Sequence, residues 1–224
     1  MGSLSMPVSA PVRTEDDRTL SVALKEGSAA EHDAAEGSSF VSELMSGRVN
    51  EQGYVDYLLR LRVVYAALED AVRARRDDPL VAAVYDPALE RLAAIDADLE
   101  HWAPGASREA ASPAAAAYRE RIVEASWGGA LVAHHYTRYL GDLSGGQVIG
   151  RMLDRTFELG GAGLSFYTFG VRTKPYKDAY RSALDGLQLD AEGIARAVDE
   201  VKIAFRLNQR LFDELAENLP AYRR

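Results

Sequence analysis

The chain has no cysteine, which excludes disulfides, thiolate metal sites and cysteine nucleophiles at once. Histidine is scarce, with four in 224 residues, so zinc or iron would have to draw on these imidazoles and on carboxylates. No apolar run approaches the roughly 18 residues of a membrane span, and the N-terminus lacks the basic-then-apolar layout of a signal peptide. A cytoplasmic protein with no membrane partner is therefore expected. Positive charge is in deficit: 26 Lys and Arg face 34 Asp and Glu, for a net charge of −8, which argues against nucleic acid as a partner. Period-two alternation, Ser-His-Asp spacing and a phosphate-binding loop are all missing.

What remains is helical. Residues 1–18 are rich in Ser, Pro and charge and read as a disordered leader, with one helical domain over 19–224. Thr19 is placed to cap a helix reaching about residue 36, interrupted mildly at Gly27. Its weak apolar stripe suggests packing on something other than an ordinary core. A short helix over 39–46 closes at Gly47, and Asn50 caps a long one. There Tyr54, Leu58, Leu61, Tyr65, Leu68 and Val72 recur at three- and four-residue steps, the stripe of a core-facing helix. Asp86-Pro87 and Ser112-Pro113 each predict a helix start, the first running to about 102 and the second to about 126. The stretch LSFYTFG reads as a buried connector, and helices over 173–187 and 190–219 complete an all-α, single-domain fold of about eight helices.

The chain is organised around YTRYLGDLSGGQ, residues 136–147. A helical run over 130–159 carries Gly141, Gly145, Gly146 and Gly150 in its interior, each costing roughly 0.5–1 kcal/mol relative to alanine. Either the four-residue spacings mark close helix crossings, or this backbone must bend or come near something. Asp142 lies inside the cluster. It is placed either to pair with Arg138 one turn back or to organise water beside a ligand.

His32 and Glu36 share a helix face. They form either a surface ion pair or an imidazole ligand whose second nitrogen meets a carboxylate. A single His with no second protein ligand suits heme iron, because the porphyrin supplies the equatorial nitrogens. Lys25 is two turns earlier, a suitable offset for a cation at the anionic rim of a flat cofactor. Lys177 and Arg181 form a second basic pair, which is either a solvated face or a carboxylate clamp. His134 and His135, being adjacent, point to different faces.

LKEGSAAEHDAAE, YLLRLRVVYAALED, HHYTRYLGDLSGGQV, KPYKDAYRSALDGL and AFRLNQRLFDEL, in this order, resemble the soluble heme oxygenases from Leu20 to Leu219. That resemblance implies heme b as substrate and prosthetic group, cleaved with O2 and electrons to biliverdin, CO and ferrous iron. It assigns His32 as iron ligand with Glu36 beside it, and Lys25, Tyr136, Lys177 and Arg181 as holders of the propionates. Gly141, Gly145 and Asp142 become the distal helix, with Asp142 delivering protons through ordered water; Tyr65, Arg138, Phe205 and Asn208 line the pocket or its water network. An external electron donor is implied too: a ferredoxin, a flavodoxin or an NAD(P)H-dependent reductase, with Lys174, Lys177, Arg181 and the 73–76 basic run as docking candidates. His135 stands where the family often has a small residue, and Pro175 precedes Lys177. A heme carrier or sensor without turnover is the alternative, and it would have no use for Asp142.

Overall fold

The computed structural model describes residues 18–224; apart from Arg18, the expected leader lies outside them. In chain order the helices are α1 (Leu20–Gly27), α2 (Ala29–Glu36), α3 (Ser39–Met45), α4 (Glu51–Ala74), α5 (Pro79–Ala82), α6 (Leu92–Trp102), α7 (Pro113–Val123), α8 (Gly128–Gly141), α9 (Gln147–Phe157), α10 (Thr173–Asp185), α11 (Ala191–Ala216) and α12 (Leu219–Tyr222). A wider π-helical turn, Asp142–Gly146, joins α8 to α9. Among the described residues there is no strand, only a bridge between Val49 and Arg223, and no helix long and apolar enough to cross a membrane.

Helix α4 is the axis. Tyr54, Leu58, Leu61, Tyr65 and Leu68 are each 0% exposed, so the predicted stripe is the one that enters the core. Asn50 caps it by accepting the Gly53 N–H at 3.0 Å. Helices α6 and α7 pack along α4, while α8 and α11 pack on each other and meet α4 as well. Helix α2 lies on α11, and α10 sits at the edge beside α1 and the π turn.

Three expected helices are broken. The helix over 19–36 interrupts at Ser28, next to Gly27, which lies against α11; a Cβ there would sit 2.5 Å from Val198 Cγ1. Thr19 is at the N-cap but its side chain makes no capping bond. The helix expected over 86–102 divides into a 3₁₀ turn, Pro87–Leu89, and α6. Its second start is capped from another helix: Glu69 of α4 accepts the N–H groups of Arg91 (2.6 Å) and Leu92 (2.9 Å). The run over 130–159 holds the π turn, so joined across their breaks the longer helices make the set of about eight that the sequence predicts. The connector is buried as expected, with Leu164, Phe166 and Tyr167 inside. Asp98 accepts the N–H groups of Ser165 and Phe166 at 2.7 Å each.

One carboxylate joins three helices. Glu200 of α11 takes a 2.8 Å bond from Arg121 Nε of α7 and lies 3.0 Å from His134 Nε2 of α8. Burial raises the Glu200 carboxyl, but the bonds from His134 and Arg121 outweigh that and hold it at about 2. Glu200→Gln should therefore lower stability at pH 7 by about 1–3 kcal/mol. Because the folded pKa is depressed from the usual 4.5, this contribution is complete above that value and fades as pH falls toward about 2. Urea titrations at pH 7, 4 and 3 should show the gap between native and variant narrowing on acidification; a constant gap would remove the carboxylate from the account.

Candidate functional site

The four glycines divide into two pairs with different surroundings. Gly146 and Gly150 turn inward against the connector: a Cβ at Gly150 would lie 2.9 Å from Tyr167 Cβ, and one at Gly146 3.5 Å from Tyr167 Cδ1. Packing thus accounts for Gly150, although its neighbour is a loop tyrosine and not a crossing helix. Gly141 and Gly145 turn outward and are exposed. A Cβ at Gly141 would meet no atom within 4 Å, and one at Gly145 only Glu36 Oε1 at 4.0 Å. Protein packing gives no reason for these two, and the nearest group to Gly145 belongs to the helix that carries His32.

Between those faces the π turn begins at Asp142. A widened turn leaves a carbonyl without its usual helical donor, and Gln147 supplies one: its Nε2 donates to Asp142 O at 3.3 Å and to Tyr167 O at 2.8 Å. The Asp142 side chain points into the body, where side chains of α4 and α8 meet it. Tyr65 of α4 donates its hydroxyl to one carboxylate oxygen, and Arg138 of α8 approaches the other at 3.4 Å. Arg138 also donates to Tyr65 Oη at 3.2 Å and to Asn208 Oδ1 of α11 at 2.7 Å. All four residues are buried. Burial pushes the Asp142 carboxyl above the usual carboxylate range, against the opposing pull of Arg138 and Tyr65. The result is a carboxyl with raised proton affinity, hydrogen-bonded to a phenol, at the start of a side-chain-free face.

Helix α2 forms the opposite wall, and of its eight residues only Ala35 is buried. His32 is exposed, with Nε2 3.4 Å from Glu36 Oε1 and Nδ1 3.5 Å from Asp33 Oδ1. The Phe205 ring stands edge-on to the imidazole at 5.4 Å. On the third side, Lys177 Nζ of α10 donates to Ser144 Oγ in the π turn at 2.9 Å. Arg181 pairs with Asp178 at 3.2 Å and is near enough to Tyr136 to offset part of the rise that burial imposes on its hydroxyl. Lys25 is exposed in the last turn of α1; the break at Ser28 means it does not share one straight helix with His32.

Several groups here had no place in the sequence reading. Ser144 and Gln147 lie within the central stretch but look like ordinary polar residues there. Tyr118 is 0% exposed, its ring 5.4 Å from that of His134 and its hydroxyl without a protein partner; burial raises it, and Arg138 and Asp142 both act on it. An aromatic at a core position carries no such signal in a sequence. Of the basic docking candidates, Arg73 is engaged by Asp70 and Glu90.

Residues 18–214 match the family model described as heme oxygenase. A heme oxygenase of Rhodella violacea is 35% identical over 209 residues, covering 90% of this chain and 89% of that one. The crystal structure of heme oxygenase-1 from the cyanobacterium Synechocystis in complex with heme superposes with a TM-score of 0.86 at 34% identity, over 91% of this chain and 95% of that one. The heme oxygenase of Leptospira interrogans gives 0.83 at 33% identity, over 88% of this chain and all of that one, 100%.

The two glycine pairs should respond oppositely to a methyl group in the protein without ligand. Gly150→Ala forces Tyr167 aside and should lose about 1–3 kcal/mol. Gly141, in helical geometry at φ −61°, should tolerate alanine with no loss or a gain of about 0.5–1 kcal/mol. Thermal unfolding of both variants checks this, and equal losses would contradict the division.

Proposed function

The chain belongs to the heme oxygenase family and is a heme-degrading enzyme, and from that premise we propose how its own residues carry out the reaction. The reading is oxidative cleavage of heme b, at once substrate and prosthetic group, to biliverdin, CO and ferrous iron, with O2 and electrons from an external donor. One observation carries the residue assignment: a His-bearing helix that buries only Ala35 faces a glycine surface that packing does not explain. Among the described residues no three His, Asp or Glu side chains gather into a metal-holding group. A lone imidazole suits an iron whose other ligands come with a porphyrin.

Bound heme supplies the iron that takes up O2 and the ring carbon that is oxidised. In this reading His32 holds the iron through one ring nitrogen, with a neighbouring carboxylate, Glu36 foremost, on the other, which fixes the tautomer and strengthens the ligand. Phe205 holds the imidazole plane from its edge. Lys25, Tyr136, Lys177 and Arg181 bind the propionates as charge-assisted donors. Gly141 at the end of α8 and Gly145 in the π turn, having no Cβ, would leave room for the ring. Asp142 would hold a proton at its carboxyl, where burial raises its proton affinity, and would donate it through water into the pocket. Tyr65 and Arg138 would keep that carboxyl oriented, and Asn208 would hold Arg138 in place by accepting its Nη1–H. A carrier needs His32 and the cations but not a buried network of four side chains, so catalysis accounts for more of the molecule. We place the reaction in the cytoplasm, with a ferredoxin, flavodoxin or NAD(P)H-dependent reductase as donor.

Asp142→Ala should retain heme and lose biliverdin output by on the order of 10²-fold, measured by chromatography of the product after adding heme, O2 and a reductant. Normal turnover in that variant would take Asp142 out of the mechanism. His32→Ala should alter the heme absorption spectrum and abolish most activity; an unchanged spectrum means another group holds the iron.

A further inference from the structure

Helix α10 carries Lys177 and Arg181, yet it buries only Tyr180 and Leu184. So little apolar contact holds a helix loosely, and polar ties must supply its placement. At its end Asp185 accepts from the Ser21 N–H at 2.8 Å and hydroxyl at 3.0 Å. Near its start Tyr176 donates to Asp86 at 2.6 Å. The tie in the middle is the buried one: Tyr180 Oη lies 2.8 Å from His135 Nδ1 of α8. The two rings stack, with centroids 5.7 Å apart and planes 5° from parallel. Burial pushes His135 down to about 3 and raises the Tyr180 hydroxyl, so two uncharged groups share this bond.

The neighbours of this pair are the proposed propionate holders. His135 precedes Tyr136 and Tyr180 precedes Arg181. Lys177, one turn before Arg181, reaches the π turn at Ser144. Long Lys and Arg side chains at the surface are flexible, so any precision in where they meet a ligand must come from where α10 itself sits. Heme is close to square in outline and carries both carboxylates on one edge, so the groups gripping that edge govern its rotation.

We propose that His135 and Tyr180 are positioning residues, locking the cations of α10 onto α8 and thereby fixing the in-plane orientation of the ring and the meso carbon that is opened. Neither side chain is assigned a contact with heme. The inference rests on the reading that Lys177, Arg181 and Tyr136 hold the propionates.

Tyr180→Phe keeps the stacked ring and deletes only the hydroxyl. His135→Asn keeps a hydrogen-bonding atom near the Nδ1 position, and His135→Leu keeps none. Each variant is loaded with ferric heme and its heme-methyl resonances are read by proton NMR, before the biliverdin isomers are separated by chromatography. Tyr180→Phe and His135→Leu should show a second ring orientation at roughly a tenth or more of the total and an isomer ratio shifted at least about threefold. Native protein and His135→Asn should share one pattern. A native methyl pattern and isomer ratio in Tyr180→Phe overturns the proposal, whether or not His135→Leu folds. The double variant Lys177→Ala with Arg181→Ala separates the two levels. If it keeps native heme affinity and orientation, the propionate reading itself fails; if it loses them while Tyr180→Phe does not, only the lock fails.

Discussion

The site depends on a buried guanidinium. Arg138 is 6% exposed in the last turn of α8, and a charge that deep is tolerated only when its donors are met. Its partners come from three other places in the chain: Tyr65 on α4, Asp142 in the π turn and Asn208 on α11. Satisfying one side chain therefore fixes the mutual placement of the three helical rods that build the core. The same bonds aim the Asp142 carboxyl. Asp142 alone would neutralise in such a setting, and Arg138 and Tyr65 oppose that without cancelling the effect of burial. A group balanced in this way both holds and releases a proton, as acid and base work requires.

The π turn lies between two glycine faces. Gly141 and Gly145 look outward, toward the side where α2 lies, while Gly146 and Gly150 pass Tyr167 at close range. Gln147 then accounts for the displaced carbonyl. Close packing, against Tyr167 and not a crossing helix, accounts for Gly150, and Gly141 and Gly145 form an open face.

This division explains what could be read in advance. Local chemistry was legible: the stripe from Tyr54 to Val72, the side-chain caps at Asn50, Asp86 and Ser112, and the i,i+4 partners Arg138 with Asp142 and His32 with Glu36. Breaks imposed from a distance were not. Glu69 caps α6 from 22 residues away, and Val198 confronts Gly27 from another helix; neither leaves a trace beside the position it affects. Tyr65 and Asn208 fall in the same class, since each reads as an ordinary helix residue until the fold delivers it to Arg138. Their assignment rests on the family resemblance; the structure joins both side chains to Arg138.

The two walls of the proposed site are held by unequal forces, and this bears on how a ligand would act. The distal wall is fixed by buried bonds among four segments, whereas α2 rests on α11 with one buried side chain and is joined to it at the edge by the Glu31 to Arg206 pair at 3.3 Å. An eight-residue helix with so little buried surface is marginal by itself. Any group gripped by His32 and packed against Phe205 contributes contacts that α2 otherwise lacks. Its binding free energy would therefore go partly into ordering that wall, while the buried network around Asp142 is already in place. The two walls thus differ in how firmly the chain itself holds them: α2 by one buried side chain and an edge ion pair, the Asp142 carboxyl by buried bonds from α4 and α8.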